Sequence, residues 1–419
     1  MGKEIKITVV EPRATGGMIH YIYQLCTALA NEGATVTLVT ALDYELESFP
    51  HNFRVEKILR LWPQIDPLLT NPPRSMLGKL GRKIFWFFRR AFRAIRLITE
   101  WFRLTNYLIK TRPTIVQFGV MEFAFESLFL GYMKYKGLLL SQICHEFERR
   151  QTKKTFMTNL DNRLSQVVFN TYSAIFLHGE TNRKLFLSMY NFPPEQAFSI
   201  EHGNEQIFPE PKNSHEIIAK LKEKYQITDD NPAVVFFGNI TPSKGIPDLI
   251  KAFSLVHKSN KKAKLIIAGM PSKQISIEEL ENLIKSLELS NQIFLDARYL
   301  PMEEIGPLMQ LANVVVYPYR NISQSGALQV AYAFGRPIIA TNVGGFPDAV
   351  ENEKSGLLVP PESPEQLASA ILRLIENPKF ATEMGKYAKH LSETRFAWPP
   401  IAKNILNVYT KLSETKNND

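Results

Sequence analysis

The sequence predicts an α/β protein made of two successive parallel-sheet domains. Three observations carry this. Short apolar runs alternate with helical patterns through both halves. A polar, proline-bearing break at Glu201 to Glu216 separates the two series. The length of 419 residues exceeds what one compact core ordinarily fills.

The first series opens with the buried strand "IKITVV", Ile5 to Val10. The helical run "TGGMIHYIYQLCTALANEG" follows and closes at Gly33, then "ATVTLVT" forms the next strand. A glycine pair, Gly16 and Gly17, stands at that helix N-terminus. Further strands are expected at Thr114 to Gly119, Leu138 to Glu146 and Ser173 to Gly179. The second series runs through "AVVFFGNITPSKG", "AKLIIAGM", "QIFLDARYL", "NVVVYPY" and "PIIATNVGG". "GLLVPP" then precedes the helix "SPEQLASAILRLIEN", where Ser363 and Glu365 suggest an N-terminal cap. "FAWPPIAKNILNVYTKLSE" reads as a closing helix after a proline pair. The expected division is residues 1–204, residues 205–390 and a terminal helix over 391–419.

Composition narrows the class. Hydrophobic residues make up 45% and charged residues 22%, as in globular proteins. Two cysteines, Cys26 and Cys144, cannot form a disulfide framework or a cysteine-based zinc site, which points to a reducing cytosol. "MGKEIKITVV" runs straight into a strand and shows no leader pattern.

The net charge of +9 is unevenly placed. Residues 74–112, an insert in the first domain, hold eleven basic residues and one acid, Glu100. On a helical wheel Ile84, Phe88, Ala91, Ile95, Ile98 and Phe102 share a face, with Arg82, Arg89, Arg93, Arg96 and Arg103 roughly opposite. The apolar runs are too short to span a bilayer, which needs about 20 apolar residues. The pattern fits docking on an anionic membrane surface, where each basic residue contributes about 1 kcal/mol. The competing reading is a core-packed helix with solvated arginines. Nothing resembles a nucleic-acid module, so no nucleic-acid partner is expected.

In the second half, Lys244, Ser325-Gly326 and Gly344-Gly345 all follow strands of one expected parallel sheet, and ligands of such sheets bind beyond the strand carboxyl ends. A lysine there can reach an anion, and the amides of Gly326 and Ala327 with the Ser325 hydroxyl can hold a diphosphate at a helix N-terminus. This arrangement resembles the family 4 retaining glycosyltransferases of the GT-B fold, with matches running from "TGGMIHYIYQLCTALANEGATVTLVT" to "GRPIIATNVGGFPDAV" and "SGLLVPPESPEQLASAI". The resemblance implies two Rossmann-like domains facing a cleft, the C-terminal helix crossing back to the first. It places Gly16 and Gly17 at donor phosphates and acceptor, His145 against the donor sugar, and Lys244 on the diphosphate as a catalytic group.

Four positions depart from the family pattern. Asn239 stands where the arginine partner of Lys244 is usual, while Ile322 and Val330 occupy the two glutamate positions. Asp348 replaces the glutamate of the last turn. Ribose recognition is therefore left without its usual acid.

The implied activity is retaining transfer from a nucleoside-diphosphate sugar to a saccharide or lipid-linked acceptor, at the cytosolic membrane face, in surface polysaccharide or glycolipid synthesis. The alternatives are a nucleotide-sugar epimerase or a catalytically silent scaffold. No cofactor and no metal are expected, since "HEFER" lacks a second histidine at ligand spacing. For His20 the sequence leaves open contact with acceptor or phosphate against helix packing. For His202 it leaves a hinge against a ligand contact, and it does not decide whether Arg149 and Arg150 are solvated or face an acceptor phosphate.

Overall fold

The computed structural model describes residues 4–419 except 61–75, 120–124, 146, 148–164, 209–212 and 419; within helices, the side chains of 76–87, 91, 417 and 418 are also outside the description. Arg149 and Arg150 fall outside the described residues, as does the side chain of Arg82.

Among the described residues the strands are β1 Lys6–Val10, β2 Thr35–Ala41, β3 Arg54–Leu59, β4 Ile115–Phe118, β5 Leu139–Cys144, β6 Ala174–His178, β7 Ala197–Ile200, β8 Ala233–Phe237, β9 Lys264–Ala268, β10 Ile293–Asp296, β11 Val314–Tyr317, β12 Ile338–Thr341 and β13 Gly356–Val359. The helices are α1 Gly17–Asn31, α2 Met76–Thr111, α3 Glu126–Tyr135, α4 Glu180–Met189, α5 Ser214–Lys224, α6 Ile246–Ser259, α7 Ile277–Ser286, α8 Met302–Leu311, α9 Gly326–Ala333, α10 Phe346–Ala349, α11 Pro364–Ile375, α12 Pro378–Glu393 and α13 Trp398–Asn418.

The chain divides into two compact units. The first is Met1–Leu177, Arg183–Ile200 and Trp398–Asp419; the second is His178–Asn182 and Glu201–Ala397. The C-terminal helix α13 thus belongs to the first unit. Its Tyr409 hydroxyl reaches Gln117 on β4 and lies 3.3 Å from Ser141 Oγ on β5, while Ile401, Ala402 and Ile405 are buried.

Each unit holds one sheet, and every strand register described in either is parallel. The first has the order β3-β2-β1-β4-β5-β6-β7, the second β10-β9-β8-β11-β12-β13. Both orders turn around at one point: between β1 and β4 in the first, between β8 and β11 in the second. Loops leaving the carboxyl ends of those central strands diverge and leave a crevice there, and in such sheets ligands settle in it. The central strands β8, β9, β11 and β12 are almost wholly apolar and buried because helices cover both faces.

Four local details differ from the sequence reading. β3 was not foreseen. β5 ends at Cys144, so His145 lies just beyond it. Ser363 precedes α11 without capping it; its hydroxyl donates to Pro361 O at 3.1 Å. Pro399 and Pro400 sit inside the first turn of α13, not ahead of it, where the missing amides cost nothing.

Helix α2 packs through Glu100, Trp101, Leu104, Thr105 and Leu108, all buried. The wheel face that includes Phe88, Ile95, Ile98 and Phe102 is exposed, and Phe92 joins it.

Candidate functional site

Lys244 is positioned by the loop leaving β8. Gly238 closes the strand at φ 142°, a value open to glycine alone. Asn239 follows as an exposed residue, then a 3₁₀ turn, Pro242–Lys244, carries the lysine forward. Gly245 stops that turn at φ 66°, so close to the chain after β11 that an added Cβ would lie 1.9 Å from the Pro318 carbonyl oxygen. The β8 and β11 loops are therefore locked together at the switch point of the second sheet. Arg320 reinforces the lock, its guanidinium donating to both Asp248 oxygens at 2.8 and 2.9 Å and its amide to Ser243 O at 2.8 Å.

The Lys244 ammonium lies 3.6 Å from the centroid of the Tyr319 ring. Burial pushes the Tyr319 phenol well above its ordinary range, and its hydroxyl is hydrogen-bonded to the Ser325 side chain. Ser325 in turn caps α9, accepting from Leu328 N at 3.3 Å. The neighbouring Tyr317 hydroxyl donates to Ala327 O at 2.5 Å. The structure thus brings Lys244, Ser325, Gly326 and Ala327 together in one unit. A cation and the positive end of a helix converge there, an arrangement that holds a phosphate without any carboxylate.

Residues 217–391 match the family model described as Glycosyl transferases group 1. This match lies within the second unit. The chain is 28% identical over 234 residues to D-inositol 3-phosphate glycosyltransferase of Corynebacterium glutamicum (strain R), covering 55% of each protein. It spans about half the length of the curated relatives it matches. Among solved structures it resembles sucrose-phosphate synthase from Thermosynechococcus elongatus, with a TM-score of 0.69, 19% identity, and 98% and 100% of the two chains covered. It also resembles Anabaena HepE in complex with UDP and glucose, with a TM-score of 0.71, 18% identity, and 97% and 100% covered. The two-sheet architecture is that of the GT-B glycosyltransferases.

Elsewhere in the second unit the contacts are of three kinds. Gly344 has φ 52°, and an added Cβ would fall 1.5 Å from the Ile322 carbonyl oxygen; at Gly345 it would meet the Ser323 carbonyl oxygen at 2.3 Å. This pair lets two loops pack backbone on backbone. Ile322 and Val330 are buried in the domain core, so neither glutamate position presents a side chain to solvent. Asp348 accepts from the Thr181 amide at 2.9 Å and hydroxyl at 2.7 Å, fastening the start of α4 to the domain.

His202 lies beside Gly326 and stacks at a tilt on His178, ring centroids 4.9 Å apart. Its Nδ1 is 2.9 Å from Gly203 O, and burial lowers its pKa to about 4, so it is neutral at physiological pH. Glu205, a buried carboxylate that the sequence reading passed over, also borders Gly326. Gln329, one turn into α9, is buried and lines a pocket with His178, His202, Gln324, Ser325 and Phe346.

In the first unit, Gly16 and Gly17 follow β1 at the switch point of that sheet. Gly16 has φ 83°, and an added Cβ on either glycine would meet nothing within 4 Å. Glu45 holds this loop: it accepts from the Gly16 amide at 2.7 Å and lies 3.3 Å from His20 Nε2. His20 is therefore engaged by a carboxylate at the base of the loop. His145 is buried with its ring edge-on to Tyr21, centroids 4.7 Å apart, and Tyr21 packs on Trp398 at 5.0 Å. Glu11, buried at the end of β1, lies under Gly119, where a Cβ would strike its Oε2. Glu45 and Glu11 gave no sequence signal, since Gly16 and Gly119 lie far along the chain from them.

Proposed function

We propose that this protein is a glycosyltransferase that moves a sugar, with retention, from a nucleoside-diphosphate donor to a saccharide or lipid-linked acceptor. The carrying observation is the convergence of Lys244 with the N-terminus of α9 at the switch point of the second sheet, inside the stretch that matches the group 1 glycosyl transferases. The leaving diphosphate needs fixed positive potential. The Lys244 ammonium, the Ser325 hydroxyl and the Gly326 and Ala327 amides supply it. The HepE structure contains UDP and glucose, which supports a uridine diphosphate sugar as the first donor to try. His145 and the Gly16–Gly17 loop are proposed at the sugar and acceptor, with no metal or cofactor required.

The acceptor is proposed to be membrane-associated. The exposed stripe Phe88, Phe92, Ile95, Ile98 and Phe102, with Arg90 and Arg96 alongside, supports docking at the inner face of a membrane and a role in surface polysaccharide or glycolipid assembly. Among the described residues no helix is long and apolar enough to cross a membrane.

Burial of Ile322 and Val330 favours one second reading, a silent scaffold of the same fold. Incubation with a panel of nucleotide sugars and lipid-linked saccharides separates the two. Released nucleoside diphosphate with a glycosylated product is expected, and loss of one fixed donor by Lys244→Ala should slow turnover on the order of a hundredfold or more. An isomerised donor without transfer would point to an epimerase. No turnover in the wild type, with nucleotide binding unchanged by Lys244→Ala, would leave the scaffold.

A further inference from the structure

We infer that α3 is a second lipid-contacting element, so that an anionic bilayer meets a two-helix platform and not α2 alone. The inference rests on the membrane reading above.

The helix α3 buries Glu126, Leu130 and Met133 against the first sheet. Its opposite face carries Leu128, Tyr132 and Tyr135, spaced four and three residues apart and therefore on one side. Leu128 is 75% exposed and Tyr135 82%, unusual for large apolar or aromatic side chains on a helix that already has a core to pack on.

Helix α3 also meets the stripe on α2 through Phe129, next in the chain to Leu128. Phe129 stacks on Trp101 at 5.6 Å and meets Phe102 edge-on at 5.0 Å. Phe102 itself belongs to the stripe, which extends to Phe88, itself 67% exposed. The rim is basic on both sides. Lys136 Nζ lies 5.4 and 5.6 Å from the rings of Tyr132 and Tyr135, and Arg96 and Arg103 border the stripe on α2.

Charge selects the occupant. The one acid on each helix, Glu100 and Glu126, is buried, and Glu100 is engaged by Arg103 at 3.0 Å. A surface of Phe, Ile, Leu and Tyr bordered by Lys and Arg matches acyl chains beneath anionic headgroups, with the tyrosine hydroxyls at the wet boundary.

The test uses the full chain and vesicles of phosphatidylcholine with or without phosphatidylserine. Leu128→Ser/Tyr132→Ser/Tyr135→Ser is compared with Phe88→Ser/Phe92→Ser/Ile95→Ser and wild type by flotation. Circular dichroism and thermal midpoints should be unchanged, since all six side chains are exposed. Wild type is expected to float with phosphatidylserine vesicles, and each triple variant to partition at least tenfold less. Flotation lost in the α2 variant but intact in the α3 variant would overturn this inference while leaving the membrane reading standing. Wild type that fails to float sinks both. Light scattering that shows a dimer dissolved by the α3 changes, with flotation unaffected, would assign the face to a second copy and overturn the inference.

Discussion

Two glycine pairs follow central strands of two similar sheets, yet they are kept for different reasons. Gly344 and Gly345 are wedged against the carbonyls of Ile322 and Ser323, and no Cβ fits at either. Gly16 and Gly17 face open space, with one carboxylate, Glu45, tying the loop down. Packing inside the domain requires the first pair. Among the described residues nothing within 4 Å requires Gly17, and we propose that a small residue there leaves room for a ligand. A Gly-Gly motif is thus not one signal. Its meaning depends on what the missing Cβ would have struck.

That contrast can be broken by experiment, beginning with the largest expected effect. Gly344→Ala forces a left-handed residue into a carbonyl and should cost about 3 kcal/mol or more, read as a lowered denaturation midpoint. A cost below about 1 kcal/mol would mean the two loops are not locked.

The second concerns His202, packed in the same domain beside Gly326. Its folded pKa lies near 4 against 6.5 for the free side chain, so the unfolded chain binds the extra proton in between. Stability from this group is complete above about pH 6.5 and is lost as pH falls towards 4. His202→Asn should flatten the acid limb of stability by up to one proton over that window. An unchanged limb would show that His202 is not buried neutral.

In the first unit, Glu45→Ala removes the acceptor of the Gly16 amide and the carboxylate beside His20. A loss of about 1–2 kcal/mol is expected, with weaker acceptor use. The smallest effect on stability belongs to Gly17→Ala. Gly17 begins a helix in open space, so stability should change by less than about 1 kcal/mol while sugar transfer falls. Transfer at the wild-type rate would remove the ligand-based reason for that glycine.

Much of this architecture could be read from the chain, because buried parallel strands are continuous apolar runs and their βα turns carry Gly, Ser and Lys. Lys244, Ser325 and both glycine pairs stand out in the sequence that way. Tyr319 was not, since a residue ending an apolar strand looks like core until its ring is seen under an ammonium. Glu45 and Glu11 were invisible for lack of any local pattern. β3 was missed because "RVEKIL" lies at the sheet edge, half-buried and with charge at Arg54, Glu56 and Lys57. For α2, periodicity revealed apolar faces but not which one packs; Trp101, Leu104 and Leu108 take the core, leaving Phe88 and Phe102 outside.

The central claim is that one ammonium and one helix N-terminus, without the usual acids, hold a diphosphate. Calorimetric titration of UDP, GDP and ADP into wild type and Lys244→Ala tests it most directly. At least one nucleoside diphosphate should bind the wild type, tenfold or more weaker to the variant, with the thermal midpoint of the unliganded protein unchanged. Equal affinity for both proteins, or no binding of any of the three to the wild type, would contradict it.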